Sequence, residues 1–108
     1  MAKLIPLEHP GKIIKEEFIN PLELTPYAVS KGTGIPQTGL GEILKGKRNI
    51  SAINALKLSK FFGVSENYFI NIQTRYNLDL AKEKAKKPLS KILPFNASKP
   101  NTTGLLKA

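Results

Sequence analysis

Three polar residues, Gln37, Thr38 and Glu42, are spaced so that a helix would present them together near one face. Each can read a base edge: glutamine bonds adenine bidentately, threonine bonds a base edge or contacts the thymine methyl group, and glutamate accepts from cytosine. Gln37 and Thr38 would lie at the N-terminal end of such a helix, the end that a recognition helix presents to base edges. The alternative is that they are ordinary polar residues on a solvated helix.

A basic loop follows these residues. Lys45, Lys47, Arg48 and Asn49 cluster where the helix should end, a position from which side chains reach phosphates and set the register of the helix on the duplex. Lysines at a helix terminus also interact favourably with the helix dipole, which explains Lys45 well and Arg48 less well. The pattern predicts contacts to the DNA backbone from these four residues.

The sequence gives little support for catalytic or metal-binding chemistry. The chain has no cysteine, which excludes disulfides, thiolate zinc sites and cysteine nucleophiles. Its single histidine, His9, has no second group to pair with, and we interpret it as the lead-in to a helix. The eight acidic residues are scattered without nucleophile–base or metal-ligand spacing. We therefore predict no catalytic residue, no metal site, no cofactor and no enzymatic activity.

Apolar periodicity predicts five helices and no strand, which makes the fold class all-α. The predicted helices span residues 10–19, 26–32, 36–45, 51–62 and 65–80 or beyond, with Ser51 and Ser65 as the caps of the last two. Thr25 followed by Pro26 is typical of a helix N-terminus. Gly34 should adopt the positive φ of a tight turn.

The two short central helices and their turn have the layout of a helix-turn-helix, about residues 25–46, with an amphipathic helix on each side. This layout makes base reading the better interpretation of the polar residues. Gly39 and Gly41 lie inside the second helix and cost about 1 kcal/mol each relative to alanine. They either let the helix approach DNA closely or mark a weakened reading helix, and the sequence leaves both alternatives open.

A change in composition divides the chain near residue 87. We expect one DNA-binding domain over residues 1–87 and a mobile tail over 88–108, which is rich in proline, serine, asparagine and threonine. The net charge of +9 is concentrated in residues 81–108, which carry seven lysines and one glutamate. The run 82–87 either binds DNA non-specifically or is simply solvated. No apolar run approaches the roughly 20 residues of a membrane helix, so we expect a cytoplasmic protein without a membrane partner.

Phe69, Ile72 and Tyr76 recur at helical spacing in the fifth predicted helix. Aromatic residues can stack on single-stranded bases, but this spacing favours a role in the core or in a dimer contact. A twofold homodimer would suit a palindromic site whose half-sites lie about 34 Å apart or a multiple of that distance.

Four stretches carry a more specific pattern: HPGKIIKEEF at 9–18, PLELT at 21–25, GKRNIS at 46–51 and YFINIQTRYNL at 68–78. Together they closely resemble HigA-type antitoxins, also called the virulence-associated protein I family, within the Xre or lambda-repressor-like group. The resemblance covers about residues 8–80. It implies a lambda-repressor-like domain in a dimeric autorepressor that binds a palindromic operator upstream of its own operon and pairs with a HigB-like mRNA-cleaving toxin.

The resemblance also implies roles for single residues. Base-reading positions fall on Gln37 and Thr38, with Glu42 as a further candidate. Positions that contact the DNA backbone fall on Thr25, Lys47, Arg48 and Asn49. The chain departs from related proteins at Pro26, where they often have a phosphate-contacting glutamine, and at Pro36, where they often have a serine cap.

Other functions stay open at this point. The chain would look the same if it were a solitary Xre-type regulator without a toxin. It would also look the same if it were a protein-interaction module whose DNA binding had been weakened through Gly39, Gly41 and Pro26.

Overall fold

The computed structural model describes residues 8–95, which form six α-helices and one π-helical segment without a strand. The all-α prediction is therefore confirmed for this part of the chain. The helices are α1 (Pro10–Ile14), α2 (Pro26–Thr33), α3 (Gln37–Leu44), α4 (Ala52–Phe62), α5 (Tyr68–Lys84) and α6 (Lys86–Ser90), and the π segment is Lys15–Ile19. None of these helices is both long and apolar enough to cross a membrane.

The first helix begins at the His9-Pro10-Gly11 sequence, and each of the three residues has a separate role. The Nδ1 atom of His9 accepts the N–H of Gly11 at 2.9 Å and so caps the helix. Pro10 takes the first helical position, where a missing N–H costs nothing. A Cβ atom on Gly11 would overlap the carbonyl oxygen of Ile43, so glycine lets α1 lie directly against the backbone of α3.

The second half of the first predicted helix differs from the expected α-helix. Lys15–Ile19 forms a π-helix, whose end is marked by the hydrogen bond from the N–H of Asn20 to the carbonyl of Lys15 at 2.9 Å. A π-turn holds more residues than an α-turn. The extra residue of the π-turn therefore places Phe18 and Ile19 on the same side as Ile14, and all three contribute to the core.

Side-chain hydrogen bonds fix the turn between α2 and α3. Gly34 ends α2 with φ of 83°, as its sequence context predicts. The hydroxyl of Thr33 donates to the carbonyl of Val29 at 2.7 Å and accepts the N–H of Ile35 at 3.1 Å. The buried hydroxyl of Ser30 donates to the carbonyl of Ile35 at 2.5 Å. These bonds satisfy the polar groups of the turn and leave α3 little freedom to change its angle to α2.

Local signals predict the bounds of α4 well and those of α5 less well. Ser51 accepts the N–H of Asn54 at 3.2 Å, and Gly63 ends α4 with φ of 72°. The predicted cap at Ser65 is wrong, because a turn intervenes, the carbonyl of Ser65 accepts the N–H of Tyr68 at 3.0 Å, and α5 begins at Tyr68.

The helix α6 lies partly within the segment that the sequence predicts to be a mobile tail. Pro88 lies in the first turn of α6, where its missing N–H removes no helical bond. The hydroxyl of Ser90 donates to the carbonyl of Lys87 at 2.7 Å near the end of the helix. Residues 96–108 of the predicted tail lie outside the described residues.

One apolar core holds the first five helices together. The ring of Phe18 lies 4.9 Å from that of Phe62 and 5.1 Å from that of Phe69, measured between centroids. Such tilted aromatic pairs add to the stabilisation that comes from burying apolar area. The fully or almost fully buried hydrophobic residues are Ile14, Ile19, Val29, Ile35, Leu40, Ile43, Ile50, Ala55, Leu58 and Phe69.

Candidate nucleic-acid interface

The outward face of α3 carries the side chains that the sequence predicts to read bases. Leu40 and Ile43 are buried and fix which side of α3 faces the core. Thr38 and Glu42 lie near the opposite side, and Gln37 lies beside them in the first turn. Gln37 and Thr38 are exposed and Glu42 is partly exposed. The fixed turn before α3 therefore presents a short polar surface at the N-terminal end of a recognition-type helix.

The two glycines of α3 do not make room for another part of the fold. A Cβ atom on Gly41 would meet nothing within 4 Å, and one on Gly39 would meet only Nη1 of Arg48, at 3.9 Å. Within residues 8–95, packing thus gives no reason for glycine at either position. Because glycine has no side chain, the backbone of α3 is uncovered on both sides of the outward face, which allows another molecule to approach α3 closely.

The structure brings together two residues to which the sequence gives separate roles. Nε and Nη2 of Arg48 lie 2.8 and 2.5 Å from Oε1 of Glu42. The two side chains are 54% and 41% exposed, so the ion pair is at the surface. The arginine of the basic loop therefore turns back onto α3 and neutralises the only acidic side chain of that helix.

Backbone bonds hold the rest of the basic loop close to α3. The N–H of Lys47 donates to the carbonyl of Glu42 at 2.8 Å, and the N–H of Gly46 donates to that of Ile43 at 3.0 Å. Gly46 has φ of 79°, and a Cβ there would lie 3.7 Å from the ring of His9. Lys45, Lys47 and the neighbouring Asn49 are exposed. The loop thus presents positive charge and hydrogen-bonding groups from a fixed backbone.

Thr25 is at the N-terminus of α2, where an anion would be stabilised. Its hydroxyl oxygen accepts the N–H of Ala28 at 3.0 Å, which leaves the hydroxyl hydrogen free to donate. The positive end of the helix dipole adds to the attraction for a phosphate. Pro26 follows as the first helical residue and is exposed, and Pro36 caps α3 without a side-chain hydrogen bond.

Gln73 and His9 lie behind the basic loop; the sequence predicts His9 only as the lead-in to a helix and gives no role to Gln73. Gln73 is 2% exposed, and its Oε1 accepts the N–H of Ile50 at 2.7 Å while its Nε2 donates to Oδ1 of Asn77 at 2.9 Å. The ring of His9 lies 5.1 Å from that of Tyr76 in an edge-on arrangement. A polar residue between Phe69 and Tyr76 on the buried side of a helix is the signal that could have identified Gln73.

The residues that the sequence assigns to the core or to a dimer contact make contacts within the chain. Phe69 is fully buried, Ile72 packs against the core, and Tyr76 contacts His9. The large apolar side chains that stay exposed near the C-terminal end of the described residues are different ones: Leu78, Leu89, Ile92, Leu93 and Phe95. We refer to these five residues as the C-terminal apolar surface.

Comparisons with known proteins agree with this geometry. A helix-turn-helix family model, HTH_3, matches residues 14–69. Virulence-associated protein I of Dichelobacter nodosus is 33% identical over 97 residues, which cover 90% of this chain and 89% of that protein.

Solved structures give the same result. The antitoxin HigA of Pseudomonas aeruginosa, solved with the higBA promoter, has a TM-score of 0.77 and 27% identity, and the match covers 83% of this chain and 99% of that one. A HigA-family addiction module antidote protein from Coxiella burnetii has a TM-score of 0.76 and 33% identity, over 84% and 100% of the two chains. The resemblance to HigA-type antitoxins is therefore confirmed.

Proposed function

We propose, since this chain belongs to the HTH_3 helix-turn-helix family, that it is a sequence-specific transcriptional repressor of the HigA antitoxin type. The observation that carries the proposal is the exposed first turn of α3, which presents Gln37 and Thr38 beside a basic loop. The solved complex of Pseudomonas aeruginosa HigA with the higBA promoter supports DNA as the ligand of this fold.

In this proposal α3 enters the major groove of an operator. Gln37 and Thr38 contact base edges there. Thr25 at the N-terminus of α2 and the lysines of the basic loop, Lys45 and Lys47, contact phosphates on either side of the groove, with Asn49 as a further backbone contact. Base contacts select the sequence and phosphate contacts supply most of the salt-dependent affinity. When it is bound to its operator, the protein would be associated with the nucleoid.

The antitoxin role adds two partners to the proposal. One is a second copy of the chain, because a single eight-residue recognition helix reads few base pairs and a twofold dimer reads a palindrome. The C-terminal apolar surface supports this contact, since it leaves five large apolar side chains exposed. The other partner is a HigB-like mRNA-cleaving toxin, which the likeness to HigA antitoxins supports.

DNA binding is tested by fluorescence anisotropy with a duplex from just upstream of the gene and a scrambled duplex, at two salt concentrations. We expect a preference for the upstream duplex of about a thousandfold or more. Equal, salt-sensitive binding to both duplexes would contradict specific recognition and would favour a protein-interaction module.

Two variants separate the two kinds of contact. Gln37→Ala should relax the choice of base at one position of each half-site, because it removes a base contact. Lys47→Ala should weaken binding to every sequence and lower the salt slope by about 0.9, because it removes one phosphate contact. Equal losses on operator and scrambled DNA for Gln37→Ala would contradict its role.

The two partner assignments need separate measurements. Light scattering during size-exclusion chromatography should give twice the monomer mass, and Leu93→Glu on the C-terminal apolar surface should lower it. Coexpression with the neighbouring gene product should give a stable complex and relieve toxicity. A repressor that binds its operator but has no such partner would be a solitary regulator.

A further inference from the structure

The side chain of Arg48 lies back against α3 and does not extend away from the basic loop, as a phosphate contact at the edge of the groove would require. Its guanidinium group is held by Glu42 of α3, and its Nη1 lies 3.9 Å from the position that a Cβ of Gly39 would take. Gly39 is the third residue of α3. The charged end of Arg48 therefore lies against α3, between Glu42 and the position of Gly39, on the helix that is proposed to read bases.

We propose that Arg48, oriented by Glu42, reads a guanine in the operator and is a specificity-determining residue. The proposal rests on the proposed function, because it requires α3 to enter the major groove. It replaces the phosphate contact that the sequence predicts for Arg48. Glu42 is then a positioning residue, and it does not itself accept from a cytosine.

The hydrogen-bonding groups of Arg48 fit this role. Nε and Nη2 are directed at Oε1 of Glu42, which leaves the N–H groups of Nη1 and the far side of Nη2 free. Two N–H groups at one end of a guanidinium match O6 and N7 of guanine, the commonest base-specific contact in the major groove. The carboxylate fixes the plane of the guanidinium, so less side-chain freedom is lost when guanine binds.

The ion pair makes little sense as a stabilising feature of the fold. An ion pair between side chains that are 54% and 41% exposed contributes little to stability. On a surface that faces phosphates, however, Glu42 alone would be repelled, and Arg48 removes that repulsion.

The neighbouring Lys47 provides a matched control. It lies next to Arg48 in the loop and is exposed, but its ammonium group is a point charge on a flexible chain and suits a phosphate. Arg48→Ala and Lys47→Ala each remove one positive charge from the same loop. They differ in the contact that the proposal assigns to the lost side chain.

The experiment measures the affinity of the full chain for the operator and for a set of duplexes in which each base pair is changed in turn. For the wild type we expect one G·C pair in each half-site whose change costs about tenfold to a hundredfold in affinity. Arg48→Ala should abolish that preference and keep the preferences at other positions, and it should also weaken binding to every duplex because Glu42 loses its ion-pair partner. Glu42→Ala should reduce it, and Lys47→Ala should keep it while weakening binding to all duplexes.

The outcomes separate this proposal from the proposed function. If Arg48→Ala keeps the G·C preference and only weakens binding to every duplex alike, Arg48 does not read that base pair, and the proposal is wrong while the repressor function stands. If Arg48→Ala keeps the G·C preference and Glu42→Ala loses it, Glu42 is the reader. If the wild type does not prefer its operator to scrambled DNA, both proposals fail. Thermal melts of each variant show that lost affinity is not lost folding.

Discussion

Replacing Gly11 by alanine tests whether direct backbone contact between α1 and α3 positions the recognition helix. The added Cβ would overlap the carbonyl oxygen of Ile43, and it would lie 2.8 Å from the carbonyl carbon of the same residue and 3.0 Å from Cα of Leu44. All three atoms belong to the backbone of α3, so no side-chain rotation can relieve the overlap. One of the two helices has to move.

The expected cost follows from two opposing effects. Overpacking of a close contact costs about 1–3 kcal/mol, and a contact with rigid backbone belongs at the upper end of that range or beyond it. Alanine gains at most about 1 kcal/mol over glycine inside a helix. We therefore expect Gly11→Ala to lower the free energy of unfolding by about 2–3 kcal/mol.

Gly41→Ala is the matched control, because the substitution is the same and a Cβ there meets nothing within 4 Å. This variant should gain up to about 1 kcal/mol of stability from helix propensity. Urea unfolding followed by circular dichroism measures both values. Equal changes in the two variants, or a stabilised Gly11→Ala, would refute the inference that α1 and α3 touch through their backbones.

Substitutions at two further residues, Gln73 and His9, test the contacts behind the basic loop. Gln73→Leu leaves the buried N–H of Ile50 without its acceptor, so it should lower the free energy of unfolding in urea by about 1–3 kcal/mol. It should also speed hydrogen exchange at the amide of Ile50. Unchanged exchange at that amide would count against the hydrogen bond. His9→Ala removes both the cap on Gly11 and the ring contact with Tyr76, so it should lower the free energy of unfolding by about 2 kcal/mol. His9→Asn should lose less stability, because asparagine keeps part of the cap. Equal losses of stability in the two variants would show that the cap contributes nothing.

Helix boundaries that depend on neighbouring residues could be predicted from the sequence. The bounds of α4 follow from the cap at Ser51 and the stop at Gly63, and the turn after α2 follows from Gly34. The start of α5 could not be predicted, because serine is a preferred N-cap residue but Ser65 is followed by a turn. The exposed polar surface of α3 was predictable in the same local way, from the spacing of its apolar residues.

Features that depend on contacts between distant residues could not be predicted. The bond from Ile50 to Gln73 joins residues 23 positions apart, and no local pattern contains it. The same holds for the close approach of Gly11 to Ile43. The family resemblance includes the sequence around Gly11, but it gives no physical reason for a glycine there. The ion pair of Glu42 with Arg48 depends on how the loop turns back onto α3.

The most direct test of the central claim is amide hydrogen exchange, measured by mass spectrometry on the protein alone and with the duplex from upstream of its gene. If α3 is the DNA-binding helix, protection should concentrate in residues 25–28 and 36–49, which include the N-terminus of α2, the first turn of α3 and the basic loop. Protection by this duplex that is confined to α5 and α6, with α3 unchanged, would contradict the account.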